Sequence, residues 1–267
     1  MATVGGLISY PVKGCAGVPA RVSPLTRAGL AHDRSFMVTD PSGGFRSQRR
    51  DPRLAVIRPV VEADGTRLAL SAPGVADLHL DVDLDAARRD VVLFGAPYRG
   101  IDQGERAAEW LSRVLAAPSR LVRVPPDHDR VTDGRTPGTS GYADSSPVHA
   151  ISQASLDELN RRLGTSSLPM SRFRPNIVID GWDEPHLEDL IGRVRIGDTE
   201  LGFAKRAIRC AVTMVDQRTG TKAGPEPLRT LATYRRAAEG GIAFGVKLSV
   251  LRLGRLAVGD ALVVSDP

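Results

Sequence analysis

Cysteine is nearly missing from this sequence: Cys15 and Cys210 are the only two in 267 residues. Without any C-x-x-C pair, a zinc knuckle or a cluster held by cysteines alone is disfavoured, and so is a disulfide-stapled secreted domain. There is no G-x-x-x-x-G-K-[ST], which excludes a P-loop, and no G-x-G-x-x-G opening a helix after a strand. H-E-x-x-H and G-x-S-x-G are missing too, which argues against a helix-borne zinc site and an α/β-hydrolase. No apolar run approaches the roughly 20 residues of a membrane helix. The opening MATVGGLISYPVKG lacks a basic n-region and a long apolar h-region. These absences lead us to expect a soluble, cytoplasmic protein with no membrane partner. No block of five like charges occurs, although the net charge is +5. Nucleic acid is therefore not an expected partner. Scattered arginines, which far outnumber lysines, suit small anionic groups such as phosphates. The five histidines, at 32, 79, 128, 149 and 186, are dispersed and read as surface or satisfied core residues.

The hydrophobic content of 42% suits one large or two modest domains. Short apolar stretches recur at residues 6–10, 34–39, 56–63, 67–71, 78–82, 90–93 and 97–100, several separated by turn signals such as Asp64-Gly65. This density of strands predicts a barrel or a strongly curled sheet. Helices are expected at 103–115, at 152–163 with Ser152 as N-cap, and at 227–238 after Pro227. Residues 125–146 form a long polar loop, so we expect a β-rich region over 1–124 and a second domain over 125–267. The fold class is mainly β with a few peripheral helices.

Residues 172–216 carry the densest concentration of reactive types. RFRPN leads into the strand IVID, and RCAVTMVD follows a second hairpin. Cys210 can be a buried thiol, a ligand for a soft metal or a nucleophile. Arg206 and Arg209 would favour its thiolate by charge. Three other segments place hydroxyls, amides or cations at strand ends: Tyr10 to Gly14, His32-Asp33-Arg34, and Asp144-Ser145-Ser146-Pro147. Such groups suit one anionic ligand if the fold brings them together.

The stretches YPVKG, GLAHDRSFMV, Asp144-Ser145-Ser146-Pro147, FRPNIVIDG, RCAVTMVDQRTG and VGDALVV resemble the MOSC superfamily along nearly the whole chain. The likeness is strongest to the amidoxime reducing components of mitochondria and their bacterial relatives. It implies a β-barrel MOSC domain behind a β-rich MOSC N-terminal region. It also implies molybdenum cofactor (molybdopterin) as prosthetic group and reduction of N-hydroxylated compounds. Cys210 then matches the molybdenum ligand, and Lys13, Gly14, Arg34, Ser145, Ser146, Arg174, Asn176 and Arg209 match cofactor-binding positions. Asp144 is the candidate catalytic acid beside them. Gly14 replaces a serine common in the family, and Ile208 a small polar residue. The chain carries no ferredoxin domain before Pro267, so a separate ferredoxin, flavodoxin or cytochrome-type donor is expected. Two alternatives share the same thiol: a persulfide carrier served by a pyridoxal-phosphate cysteine desulfurase, and a non-catalytic cofactor carrier.

Overall fold

The computed structural model describes residues 1–164 and 167–266. Its centre is a barrel of seven strands. In order around the barrel these are Thr3–Ser9, Ile177–Asp180, Val148–Ser152, Ala243–Arg252, Thr199–Ile208, Arg193–Ile196 and Leu262–Asp266. The last strand closes on the first through a bridge between Thr3 and Ala261, with Val4 N donating to Asp260 O at 2.9 Å. All pairings are antiparallel except that of Val148–Ser152 with Ile177–Asp180. Alternation along the strands turns Val4, Ile177, Ile179, Val148, Val194, Val246 and Leu248 into one buried apolar cluster. Leu25, Leu30 and Leu256, from a small sheet beside the barrel, join the same cluster.

A second sheet lies beside the barrel, ordered Arg88–Leu93, Ala96–Asp102, Arg120–Arg123, Phe36–Thr39 and Val12–Lys13. The helix Gly104–Leu115 covers it, burying Ala107, Trp110, Leu111 and Val114 against Phe36, Val38 and Leu121. A three-stranded sheet, Arg58–Val61, Arg67–Ala72 and Val75–Asp81, completes this layer. The chain thus begins as a barrel strand and crosses at Tyr10-Pro11 into the second sheet. That crossing is the seam on which the site is built.

The helix Gln153–Leu163 has the expected N-cap, with Ser155 N donating to Ser152 Oγ at 3.1 Å. The expected helix over 227–238 is helical only at Leu228–Leu231. Tertiary contacts override its periodicity. Arg235 pairs with Asp189 at 2.5 Å, Ala243 N donates back to Arg235 O, and Tyr234 packs on the cluster around Phe173 and Phe244. The backbone beyond Leu231 turns to make these contacts instead of continuing the helix.

Candidate functional site

A cavity of about 290 Å³ opens at the seam between barrel and second sheet. Lys13, Gly14, Arg34, Asp144, Ser145, Ser146, Arg174, Asn176, Arg209 and Cys210 all line it, drawn from five separate parts of the chain. Among the described residues, nine lysine and arginine side chains face it against a single carboxylate, that of Asp144.

Tyr10 and Asp33 lie behind one wall and hold the arginines that form it. Tyr10 N donates to Asp33 Oδ1 at 2.7 Å, and Arg34 Nη1 donates to Asp33 Oδ2 at 2.5 Å. The guanidiniums of Arg34 and Arg174 lie 4.4 and 4.3 Å from the centroid of the Tyr10 ring, within reach of its π-face. Both arginines have positive φ, 47° and 56°, a strained conformation held by the surrounding network. Asn176 joins the walls. Its Nδ2 donates to Ile8 O (3.1 Å) and Asp33 Oδ1 (3.0 Å); its Oδ1 accepts from Arg34 Nη1 (3.0 Å) and His149 N (3.2 Å). That exhausts the amide. Asn176 is 1% exposed and lines the cavity, and its side-chain amide positions Arg34.

Lys13 sits between Asp144 and the rings of Phe45 and Phe94, 5.5 and 4.8 Å from its ammonium. Burial lowers its pKa even though Asp144 acts to raise it. The walls of the cavity also oppose ionisation of Asp144, but the charge and hydrogen bond of Lys13 hold that carboxyl well below the usual range. The two partners are unequally buried: the Lys13 side chain is 6% exposed and that of Asp144 64%. Desolvation therefore falls mainly on the lysine. Lys13 is a buried cation only partly neutralised, and a bound anion would complete it. Gly14, which follows, has φ +83°, and a Cβ there would come within 3.2 Å of Leu54 Cδ1. Glycine in place of serine is therefore a conformational requirement of this loop.

Cys210 ends the other wall. It follows the barrel strand Thr199–Ile208 and precedes a 3-10 turn, Ala211–Met214. The Cys210 carbonyl accepts from Thr213 N and Oγ1, and buried Arg172 donates to Thr213 O at 3.0 Å, which fixes the turn. Cys210 is half-buried and faces the cavity. Arg209 donates to Phe173 O at 2.8 Å and lies 3.3 Å from His149 Nε2. Burial lowers its pKa to about 10. His149 is held neutral by burial and by the charges of Lys247 and Arg209. Its partners assign the proton to Nδ1, 3.5 Å from Arg174 O, leaving Nε2 as acceptor for Arg209. Two buried polar atoms on the cavity have no partner among the described residues, Ser146 Oγ and Arg209 Nε. Arg206, expected beside Cys210, also lines the cavity and reaches Glu239 at 3.6 Å.

Sequence reasoning missed three contributors. Gln48 and Gln217 form a reciprocal amide pair, at 3.0 and 2.8 Å, that ties the N-terminal layer to the loop beyond Cys210. Lys247 faces the cavity from the strand Ala243–Arg252. Its only signal in the sequence is a lone charge inside an apolar run, FGVKLSV. Cys15, by contrast, is 0% exposed in the apolar core, and burial pushes its thiol up to about 12, as for a structural residue.

The cationic excess makes a direct prediction. Inorganic phosphate added to the purified protein raises its thermal unfolding midpoint, by about 2.7 kcal/mol of stability at a hundredfold excess over Kd. Differential scanning fluorimetry against chloride at matched ionic strength reads the effect. An equal response to chloride would mean general screening, not a site.

The architecture is that of a β-barrel protein with a ligand cavity on its seam, lined by cations and one accessible cysteine. Residues 1–118 match the MOSC N-terminal beta barrel domain and residues 137–263 the MOSC domain, and the chain belongs to the MOSC family. It is 34% identical over 284 residues to mitochondrial amidoxime reducing component 2 of Rattus norvegicus, spanning 97% of this chain and 82% of that one. It is 36% identical over 247 residues to mitochondrial amidoxime-reducing component 1 of Homo sapiens, spanning 88% and 72%. Among solved structures, the YuaD protein of Bacillus subtilis aligns over 98% of this chain and 93% of its own, at 11% identity and a TM-score of 0.47. No helix among the described residues is long and apolar enough to cross a membrane, and none of their His, Cys, Asp or Glu side chains gather in threes as a metal chelate.

Proposed function

We propose that this chain is a molybdenum-cofactor-dependent reductase of N-hydroxylated compounds, amidoximes and hydroxylamines, working in the cytoplasm with electrons from a separate ferredoxin, flavodoxin or cytochrome-type protein. The supporting observation is the shared cavity: one half-buried cysteine, a surplus of cations, and two unpartnered polar atoms on residues that line it. The names of the two relatives are consistent with it.

The donor set fits the group. Cys210 offers one soft sulfur ligand. Lys13, Arg34, Arg174 and Arg209 suit a phosphate and polar pterin edges, and Ser146 Oγ and Arg209 Nε would gain the partners they lack. When bound, the cofactor supplies two-electron reduction, and the protein supplies position and charge. Asp144, the candidate acid of the sequence, is ion-paired with Lys13. It is a carboxylate at neutral pH and acts as acceptor and orienter.

The test is elemental analysis for molybdenum and released pterin in protein from a cofactor-competent host, with reduction of benzamidoxime by reduced viologen. Well-folded protein that holds no molybdenum would sink the reading. So would a labile added sulfur on Cys210 after incubation with a desulfurase and cysteine, if no reduction accompanied it. Ser146→Ala sharpens the test. Because the hydroxyl has no partner, its loss leaves unfolding stability within about 1 kcal/mol while lowering retained molybdenum. A large loss of stability instead would show that Ser146 serves the fold.

A further inference from the structure

Reducing an N–OH group to N–H and water consumes two protons, so the cavity needs a group that is protonated, free and close. The titratable side chains on its walls are mostly committed. Asp144 is ionised against Lys13, and Lys13 is engaged by Asp144. His149 is neutral, with both ring nitrogens facing partners. Lys205 is held by Asp133 at 2.6 Å. On the reductase reading Cys210 would hold the metal. Lys247 remains. It sits directly across the sheet from His149 on one side and from Lys205 on the other, faces the cavity, and makes no side-chain hydrogen bond among the described residues.

Resting on the reductase reading above, we propose that Lys247 is the proton donor of this site, giving its ammonium proton to the hydroxyl oxygen of the N-hydroxylated substrate. The reduced carrier protein provides the electron pair that breaks the N–O bond. The proton from Lys247 lets the oxygen leave as water, a second proton from solvent goes to nitrogen, and neutral Lys247 recovers its own from solvent. Carbon and nitrogen frameworks are unchanged, and two electrons leave the carrier, one from each of two molecules where the carrier holds a single electron.

The surroundings suit this use. Burial, followed by the charges of Arg209 and Arg34, lowers the Lys247 pKa to about 7, while Asp144 and Asp33 act the other way. A lysine there is divided between acid and base near neutrality, where proton transfer is most effective. Gly245, two residues earlier on the strand, keeps the backbone close: a Cβ there would lie 2.5 Å from Ile151 Cγ1 and 2.9 Å from His149 Nε2.

The test compares wild type, Lys247→Met and Lys247→Arg as molybdenum-loaded proteins, with reduced viologen and benzamidoxime. Lys247 protonation is read separately, from the pH dependence of acetic anhydride labelling of its peptide by mass spectrometry. The expected result is a wild-type kcat that falls as pH rises through the midpoint found by labelling. Lys247→Arg, which holds its proton longer, moves that fall to higher pH. Lys247→Met lowers kcat by about a hundredfold with KM and molybdenum content unchanged. Wild-type turnover in Lys247→Met, loss of molybdenum from it, or labelling with an ordinary lysine midpoint would each overturn the proposal. If Lys247→Met does not fold, the labelling curve and the Lys247→Arg profile decide. A loaded wild type without any turnover removes the reductase reading itself, whereas an active wild type matched by Lys247→Met removes only this inference.

Discussion

On the proposed reductase reading, Cys210→Ala is expected to give a folded protein that holds no molybdenum and reduces no amidoxime. Little packing is lost, since the residue is half-buried and the turn behind it is held by bonds to its main-chain carbonyl and by Arg172. Unfolding stability should therefore change by no more than about 0.5–1 kcal/mol. The functional loss is of another size. Removing a partner outside the ligand shell of a metal typically costs about 10–100-fold, and Cys210 is the one soft ligand the cavity offers among the described residues, so activity falls further than that. Molybdenum content, reductase rate and a urea melt on the same preparation separate the two effects. Full metal retention in the variant would leave the cofactor reading without its ligand.

Asn176→Ala has the opposite signature: the fold suffers first. The amide closes four hydrogen bonds at once, among them bonds to the Asp33 carboxylate and the Arg34 guanidinium. Asp33 is 5% exposed, so bulk water cannot replace the lost donor. Truncation removes one donor from Asp33, which keeps Tyr10 N and Arg34, and leaves Ile8 O and His149 N without this partner, at about 1–3 kcal/mol for each unsatisfied group. These losses overlap because the groups belong to one network. The expected destabilisation is about 2–4 kcal/mol, read as a lower urea midpoint at constant slope. Arg34 then loses one of its anchors while keeping Asp33, so the phosphate response weakens as well. A change below about 1 kcal/mol would mean that the network is loose and that Asn176 has capacity to spare for a ligand.

The contrast between these residues shows how far sequence reaches. FRPN marks Arg174 and Asn176 as a pair, yet one faces the cavity with its guanidinium and the other is consumed as a brace. Residue type indicates what a side chain can bond to. It does not reveal which of those bonds its neighbours have already taken. Asp144 is a similar case: as an acid it is legible, but its partner lies 131 positions away, and only the ion pair shows that it has no proton to give at neutral pH.

Local pattern was sufficient for the strands, most of the hairpins and two of the three helices, because alternation, turn residues and caps act over a few positions. It was also sufficient to single out the four segments that meet at the seam. Tertiary structure alone decided that they do meet. It also stopped the third helix after Leu231, where Tyr234 and Arg235 found better partners by turning, and it put Lys247 on the same wall as His149. The physical reason is register. Which face of a strand a lysine occupies, and what stands opposite, follows from pairings between segments about a hundred residues apart, a separation across which periodicity carries no information.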